Sequence, residues 1–368
     1  MYKKIIKPIL FLFSPDFVHN STVTAGRCIQ SFAAGRWIIT LLWRRNNQYL
    51  HQTILDIDFA NPVGLSAGFD KNAELAPLME SVGFGFETAG SVTLEPRIGN
   101  PRPWFYRLPN TKSLVVHAGM ANKGMTVISR SITRNAIKVK QMPLFLSVAV
   151  VARNSECNNL DAIRDTTDTV SYILERSLAK AIEINISCPN VGDNQPFATP
   201  EALEQLLAEL DKIARELPFF VKMPNMSNMS EFDKLLQVIV RHDIQGVTVS
   251  NLVKDRETVD LKDALPPEIR GGLSGEPTKA RSLKLIRHTY ETYGDRLVII
   301  GVGGIFSAQD AYNKMKAGAS LVAMITGVIF EGPQVVGKIN KGLVELARAD
   351  GYSVISEAIG ADCRKSQK

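Results

Sequence analysis

The sequence predicts an α/β fold, a (β/α)8 or TIM barrel carrying a small N-terminal helical module. Three observations carry that reading. From residue 57 onward, short apolar runs alternate with helix-length amphipathic segments, the texture of parallel strands joined by crossover helices. Eight such runs can be counted, at 61–67, 84–92, 144–151, 182–187, 218–224, 245–251, 297–303 and 320–326. Amphipathic stretches follow most of them, for example 71–83, 199–216, 229–243, 278–293 and 307–317. Eight strand–helix units close a barrel. A doubly wound open sheet would need fewer strands and an early Gly-x-Gly-x-x-Gly turn, and none follows 61–67.

The first 45 residues read as a separate helical module, with the barrel spanning 46–368. A first helix is expected over Lys3–Phe13. Ser14 then serves as an N-cap ahead of Pro15, and a second helix runs to about Phe32. Gly35 is expected to break the pattern before a third helix at Trp37–Arg45. The formal net charge of the 368-residue chain is +6, and all of it arises here. Residues 1–50 hold Lys3, Lys4, Lys7, Arg27, Arg36, Arg44 and Arg45 against the single acid Asp16. A nucleic-acid surface spread over the whole protein is therefore not expected. One-sided charge with Trp37 and Trp43 beside arginines favours helices lying on an anionic membrane surface, bound peripherally on its cytoplasmic side. A helical cap packed on the barrel is the alternative. No run reaches the roughly 18–20 apolar residues of a membrane span. The apolar start is interrupted by Lys7 and Pro8, so a cleaved leader is not expected.

Between the strands, 95–124 reads as a Pro-, Gly- and Arg-rich loop covering the barrel mouth, and 252–277 as a second long loop. The cysteines Cys28, Cys157, Cys188 and Cys363 show no Cys-x-x-Cys spacing. Neither a metal site nor a disulfide framework is expected, and a reducing compartment fits.

Chemistry in such barrels sits at the C-terminal strand ends. The most telling is the run Ala181-Ile182-Glu183-Ile184-Asn185-Ile186-Ser187-Cys188-Pro189-Asn190. A thiol there can act as nucleophile, metal ligand or general base. Flanking amides suit a small amide-bearing ring, which points to proton abstraction. Ala67, Gly68 and Lys71 end the first run, Ser91 the second, Lys222 the fifth, and Ser250 with Asn251 the sixth. Gly303 with Gly304, and Thr326 with Gly327, follow strands seven and eight, where barrels often seat phosphate. Tight strand–helix turns are the plainer reading of those glycines. Lys222 interrupts the apolar Phe219-Phe220-Val221-Lys222-Met223. Inside a barrel it must be paired or serve a bound anion, and a flavin mononucleotide (FMN) is an economical one. An exterior lysine is the alternative. Lys71 either bridges cofactor and an acidic substrate or begins a solvated helix.

Together these residues resemble the dihydroorotate dehydrogenase family, over almost the whole chain. The nearest likeness is to its membrane-associated, quinone-reducing class (class 2). The shared motifs stand here as Asn61-Pro62-Val63-Gly64-Leu65-Ser66-Ala67-Gly68-Phe69-Asp70-Lys71-Asn72, Gly99-Asn100-Pro101-Arg102-Pro103, Phe105-Tyr106-Arg107-Leu108 and Gly271-Gly272-Leu273-Ser274-Gly275. Others are Ile299-Ile300-Gly301-Val302-Gly303-Gly304-Ile305, Gly318-Ala319-Ser320-Leu321-Val322, Phe330-Glu331-Gly332-Pro333 and the N-terminal Leu12-Phe13-Ser14-Pro15-Asp16.

The resemblance implies oxidation of dihydroorotate to orotate in pyrimidine biosynthesis, with FMN as cofactor and ubiquinone or menaquinone as acceptor. It makes Cys188 the base. Asn185, Asn190 and Asn251 would hold the pyrimidine amides, with Lys71 on the carboxylate. Ala67, Gly68, Lys71, Ser91, Asn185, Lys222, Ser250, Gly272, Gly303, Gly304, Thr326 and Gly327 would hold FMN. His19 would face quinone in a tunnel formed by the N-terminal helices.

The chain also departs from that pattern. Cys188 stands where the quinone class normally has serine and the soluble class has cysteine. Val116 replaces an asparagine that meets the pyrimidine, and Leu252 replaces a hydroxyl residue. Two alternatives follow: an FMN-dependent oxidoreductase acting on another small cyclic substrate, or a membrane-associated flavin-binding protein without turnover.

Overall fold

In a computed structural model the described residues are 2–152, 159–187 and 196–365. Eight parallel strands close a barrel: Val63–Leu65, Phe86–Val92, Leu144–Ala149, Ala181–Asn185, Phe219–Lys222, Gly246–Val249, Val298–Val302 and Leu321–Met324. The last strand pairs with the first, Val322 opposite Val63, which completes the ring. Each strand is shorter than its apolar run, because the flanking residues turn into the connecting loops. Strands buried on both faces need apolar residues throughout, which is why they read as continuous runs.

Alternation along the strands sorts the barrel interior into layers. Phe86, Phe145 and Phe220 point inward at the N-terminal end, with ring centroids 5.5 and 5.8 Å apart along the series. Gly246 makes room for them, since a Cβ there would lie 2.4 Å from the Phe220 ring. A hairpin of Gln52–Ile54 and Ile57–Phe59 closes this end and adds Phe59, 5.8 Å from Phe86. The hairpin precedes the first of the eight apolar runs and is not among the predicted strands. Two residues further along each strand the interior becomes polar, with Ser147, Glu183, Lys222 and Thr248.

Several helices differ from expectation. The segment 71–83 becomes helical only at Ala76–Val82. The Asp70 carboxylate accepts from the N–H groups of Glu74 at 2.9 Å and Leu75 at 2.6 Å, holding the preceding residues in a turn. The expected 199–216 and 229–243 are Pro200–Asp211 and Met229–Ile239. Helices Met125–Ala136, Asn159–Glu175, Thr326–Glu331 and Val335–Ala349 complete the outer layer. The 95–124 excursion is partly ordered as an antiparallel pair, Phe105–Leu108 with Ser113–Val116. The second long connection adds Gly272–Leu273 to it, so both excursions share one three-stranded lid.

Ahead of the barrel lie a π-helical turn Tyr2–Ile6 and helices Lys7–Phe11, Pro15–Ser31 and Ala33–Trp43. Ser14 caps as expected, its hydroxyl accepting from Phe17 N–H at 3.3 Å. Gly35 does not break the third helix; the break comes at Phe32, which is extended. Gly35 instead permits close approach, since a Cβ there would lie 2.5 Å from the Ile29 carbonyl oxygen. Asp16, buried, accepts from Trp104 N–H at 3.2 Å and Phe105 N–H at 3.3 Å, tying the second helix to the lid. Leu12, Phe32, Trp37 and Leu41 face outward, each more than 60% exposed. Among the described residues no helix is long and apolar enough to cross a membrane.

The aromatic floor yields a stability prediction. Phe145→Ala leaves a cavity ringed by rigid partners and should cost about 3–5 kcal/mol in urea unfolding. A loss under about 1 kcal/mol would mean that the floor collapses to fill the gap.

Candidate active site

A cavity of about 700 Å³ lies between the barrel mouth, the lid and the N-terminal helices. Ala67, Gly68 and Lys71 line it from the first strand end, Ser91 from the second, Asn185 from the fourth, Lys222 from the fifth and Asn251 from the sixth. The walls further out are apolar, with Val18, Ile29, Ile39, Leu78 and Phe84. His19 of the second helix lines that outer part.

The polar groups are held by one another before any ligand arrives. Ser91 Oγ and Ser147 Oγ are 3.0 Å apart, and Asn185 Nδ2 donates to Ser91 Oγ at 2.9 Å. Asn251 Nδ2 donates to the Ser187 carbonyl at 2.7 Å and to its hydroxyl at 3.0 Å. Ser187 N–H donates to Asn185 Oδ1 at 3.3 Å. Preorganised amides of this kind recognise a flat polar ring without reordering on binding.

Lys222 lies inside the barrel and its ammonium is 3.5 Å from the Glu183 carboxylate, both side chains almost wholly buried. Lys222 is thus paired, and its partner Glu183 is not among the residues predicted for the site. The signal was available, since Glu183 lies two residues before Asn185 on the same strand and so on the same face.

A smaller cavity of about 80 Å³ opens beside the first, lined by Ser250, Gly303, Gly304, Thr326 and Gly327. Ser274, Gly275 and Thr278 also line it. Gly272 does not; it pairs with Val116 in the lid. Gly303 and Gly304 have φ of +104° and +66°, a conformation that favours glycine, and with no side chain there their backbone itself lines this cavity. Glycine backbone with the hydroxyls of Ser250, Ser274, Thr278 and Thr326 gives this small cavity a polar lining that fits an anion such as phosphate.

Lys71 lines the cavity, as do the cations Lys222, Arg107 and Lys338. Its ammonium donates to the Gly68 carbonyl at 2.9 Å and lies 5.0 Å from the Phe105 ring centre. Burial lowers its pKa to about 8, against the opposing pull of Asp16 and Asp70. His19, 5.5 Å from the same ring, is held down to about 3 by burial and by the charges of Lys71 and Arg102, so it is neutral at physiological pH. Arg107 reaches outward and donates to the Phe13 carbonyl at 2.7 Å, which anchors the end of the first helix. Val116 and Leu252 both line the main cavity and bring apolar surface to it. His117 turns away to Asn100, 3.1 Å distant. Cys188 and Asn190 lie outside the described residues.

A family model described as dihydroorotate dehydrogenase matches residues 49–346. The chain belongs to the dihydroorotate dehydrogenase family. Its relatives span its whole length. A protein of Deinococcus deserti named dihydroorotate dehydrogenase (quinone) is 32% identical over 371 residues, covering 98% of this chain and 100% of that one. One of the same name from Nocardia farcinica is 33% identical, covering 99% and 98%. The crystal structure of the Eimeria tenella enzyme in complex with ferulenol superposes with a TM-score of 0.79 at 25% identity, covering 95% of this chain and 96% of that one. The family's fold and the N-terminal helices are thus matched together.

The buried pair yields a prediction of its own. Lys222→Ala strands the Glu183 carboxylate and should cost about 3–5 kcal/mol in denaturant unfolding of the flavin-free chain. Lys222→Met with Glu183→Gln should recover most of that loss, because no charge remains buried. If the double variant is no more stable than the single one, packing and not charge dominates there.

Proposed function

We propose that this chain oxidises dihydroorotate to orotate in pyrimidine biosynthesis, with FMN as resident cofactor and a quinone as electron acceptor. One observation carries the reading beyond family membership. Asn185, Lys222 and Asn251, from three successive strands, converge on one cavity with Lys71 at its rim and a glycine cradle beside it. Bound FMN would supply a hydride acceptor for C6 of the substrate and an electron donor to quinone.

The chain's own residues do the rest. Gly303, Gly304, Thr326 and Gly327 would seat the phosphate, with Ser250 beside them. Lys222 would supply positive charge where the ring becomes electron-rich, and Ala67, Gly68 and Ser91 would pack against the ring. Asn185, Asn251 and Asn190 would hold the pyrimidine amides, while Lys71 would meet the carboxylate. Cys188 would remove the C5 proton; the unperturbed thiol pKa of about 8.5 lies near working pH. Residues 1–45 would act as a membrane and quinone module on the barrel of 46–368, with His19 at the quinone path. The exposed Leu12, Phe32, Trp37 and Leu41 suit contact with the cytoplasmic side of a membrane, bound peripherally.

Val116 and Leu252 on the cavity wall favour a second reading, the same cofactor with a less polar cyclic substrate. An anaerobic titration separates the two. Dihydroorotate should bleach the flavin band near roughly 450 nm, and a quinone analogue should restore it. Cys188→Ala should keep its flavin and bleach at least about 100-fold more slowly. A band bleached by dithionite but not by dihydroorotate would point to the second reading.

Lys71 adds a pH dependence. It is cationic below its pKa of about 8 and neutral above it, so its attraction for a carboxylate is lost as pH rises through that value. Orotate binding, followed by its perturbation of the flavin spectrum, should weaken between about pH 7 and 9.5. In Lys71→Gln it should be weak throughout and flat with pH. A flat wild-type profile would remove Lys71 from carboxylate recognition.

A further inference from the structure

Behind the glycine cradle lies a buried lysine that the reading above does not use. Lys314, on the helix Ala308–Lys316, is 1% exposed. Its stem packs on the outer face of the seventh strand, where a Cβ on Gly301 would lie 3.4 Å from Lys314 Cδ. Its ammonium donates to Ser282 Oγ at 2.5 Å. Ser282, fully buried in the first turn of the helix Lys279–Tyr293, passes its own hydrogen to the Lys279 carbonyl at 3.3 Å. The same hydroxyl lies on the Cβ side of Gly303, 3.4 Å from where a Cβ would stand, next to the closer Thr278 side chain, whose Oγ1 would be 2.4 Å from it. Gly303 has a φ of +104°, which a larger residue would rarely adopt, so this close packing is built into the turn.

The ammonium therefore stands behind Ser282, on the far side of the glycine turn that lines the small cavity. Ser282 is its one acceptor among the described residues. The nearby Asp310 is engaged elsewhere, with Lys279 at 2.6 Å and the Ser307 hydroxyl at 2.8 Å. Asp310 and Lys279 are the charged groups that bear on Lys314, and they oppose each other. Burial lowers Lys314 to about 7, so without a further anion it holds its proton weakly at neutral pH. A methionine would fill the same space with no desolvation penalty, so a lysine there costs stability unless its charge is used.

We propose that Lys314 is a positioning residue for anion recognition: through Ser282 it backs the Gly303–Gly304 turn with positive charge and so selects a phosphate-bearing flavin over the bare ring system. This rests on the reading of that turn as the phosphate seat. The charge is sequestered from solvent, which keeps it unscreened by salt and closed to competing anions.

The test compares FMN with riboflavin, which lacks the phosphate, by quenching of flavin fluorescence on the flavin-free full-length chain. Wild type should prefer FMN. Lys314→Met should weaken FMN binding about tenfold or more and change riboflavin binding by less than about twofold. At about pH 7.5, FMN binding to wild type should take up protons as Lys314 becomes fully charged, and riboflavin binding should not. Equal losses for both flavins would mean a merely structural role and overturn the inference. So would an unchanged FMN preference in Lys314→Met, which leaves the phosphate seat intact. A wild type that binds both flavins alike would overturn the seat and the inference together. Should Lys314→Met fail to fold, proton uptake by wild type decides: none specific to FMN overturns the proposal.

Discussion

The buried Lys222–Glu183 pair is the interaction on which the rest of the site depends. It lies directly above a floor of four phenylalanines, so water cannot reach it from below. In that setting neither charge is tolerable alone, and each holds the other in place. The ammonium is consequently fixed at the base of the cavity, next to Asn185 and beneath Asn251. A flexible lysine on a loop would have to be ordered by the ligand at the ligand's own expense in affinity. Here folding has already done that ordering.

The same logic extends outward. Asn185, Ser187, Asn251, Ser91 and Ser147 satisfy one another's donors and acceptors, so the mouth is rigid where it is polar. Beyond it, the walls turn apolar as the N-terminal helices take over from strand ends. The change in lining from amides to aliphatics follows the change in provider. Asp16 holds those helices to the lid through two backbone N–H groups, and Arg107 holds the first of them through a carbonyl. Each uses one buried or half-buried charge to fix a backbone segment, which is more directional than apolar packing alone. The lid itself takes strands from both long excursions, so the two loops move or stay as one.

Much of this was legible in the residue order. Eight apolar runs became eight strands, and Ser14 with Pro15 marked a helix start that the structure keeps. Lys71, Asn185, Lys222, Ser250 and Asn251 could be placed at strand ends, because strand ends are where an apolar run meets polar residues. Other features were not legible for definite reasons. Gly35 looked like a helix breaker, but its role is set by Ile29 on the preceding helix, a contact that local propensity does not report. Phe59 precedes the first apolar run, and only the hairpin carries it under the barrel beside Phe86. Asp16 looked like a lone acid in a basic segment, and its partners are about ninety positions away in the chain.

The sequence by itself determined how many strands the barrel has and at which end of each run the polar residues fall, because a buried strand reads as an apolar run that ends where polar residues begin. It also determined family membership, since the motifs are spread over the whole length. Only the tertiary structure decided which of those residues are neighbours. Glu183 and Lys222 become partners because the register of the fourth and fifth strands sets Ile184 against Val221 and Asn185 against Lys222. Gly303 acquires Ser282 and Lys314 behind it because two helices meet on the outer face of the seventh strand. Alternation assigns a face to a residue, but register and closure assign it a partner, and those are properties of the whole ring.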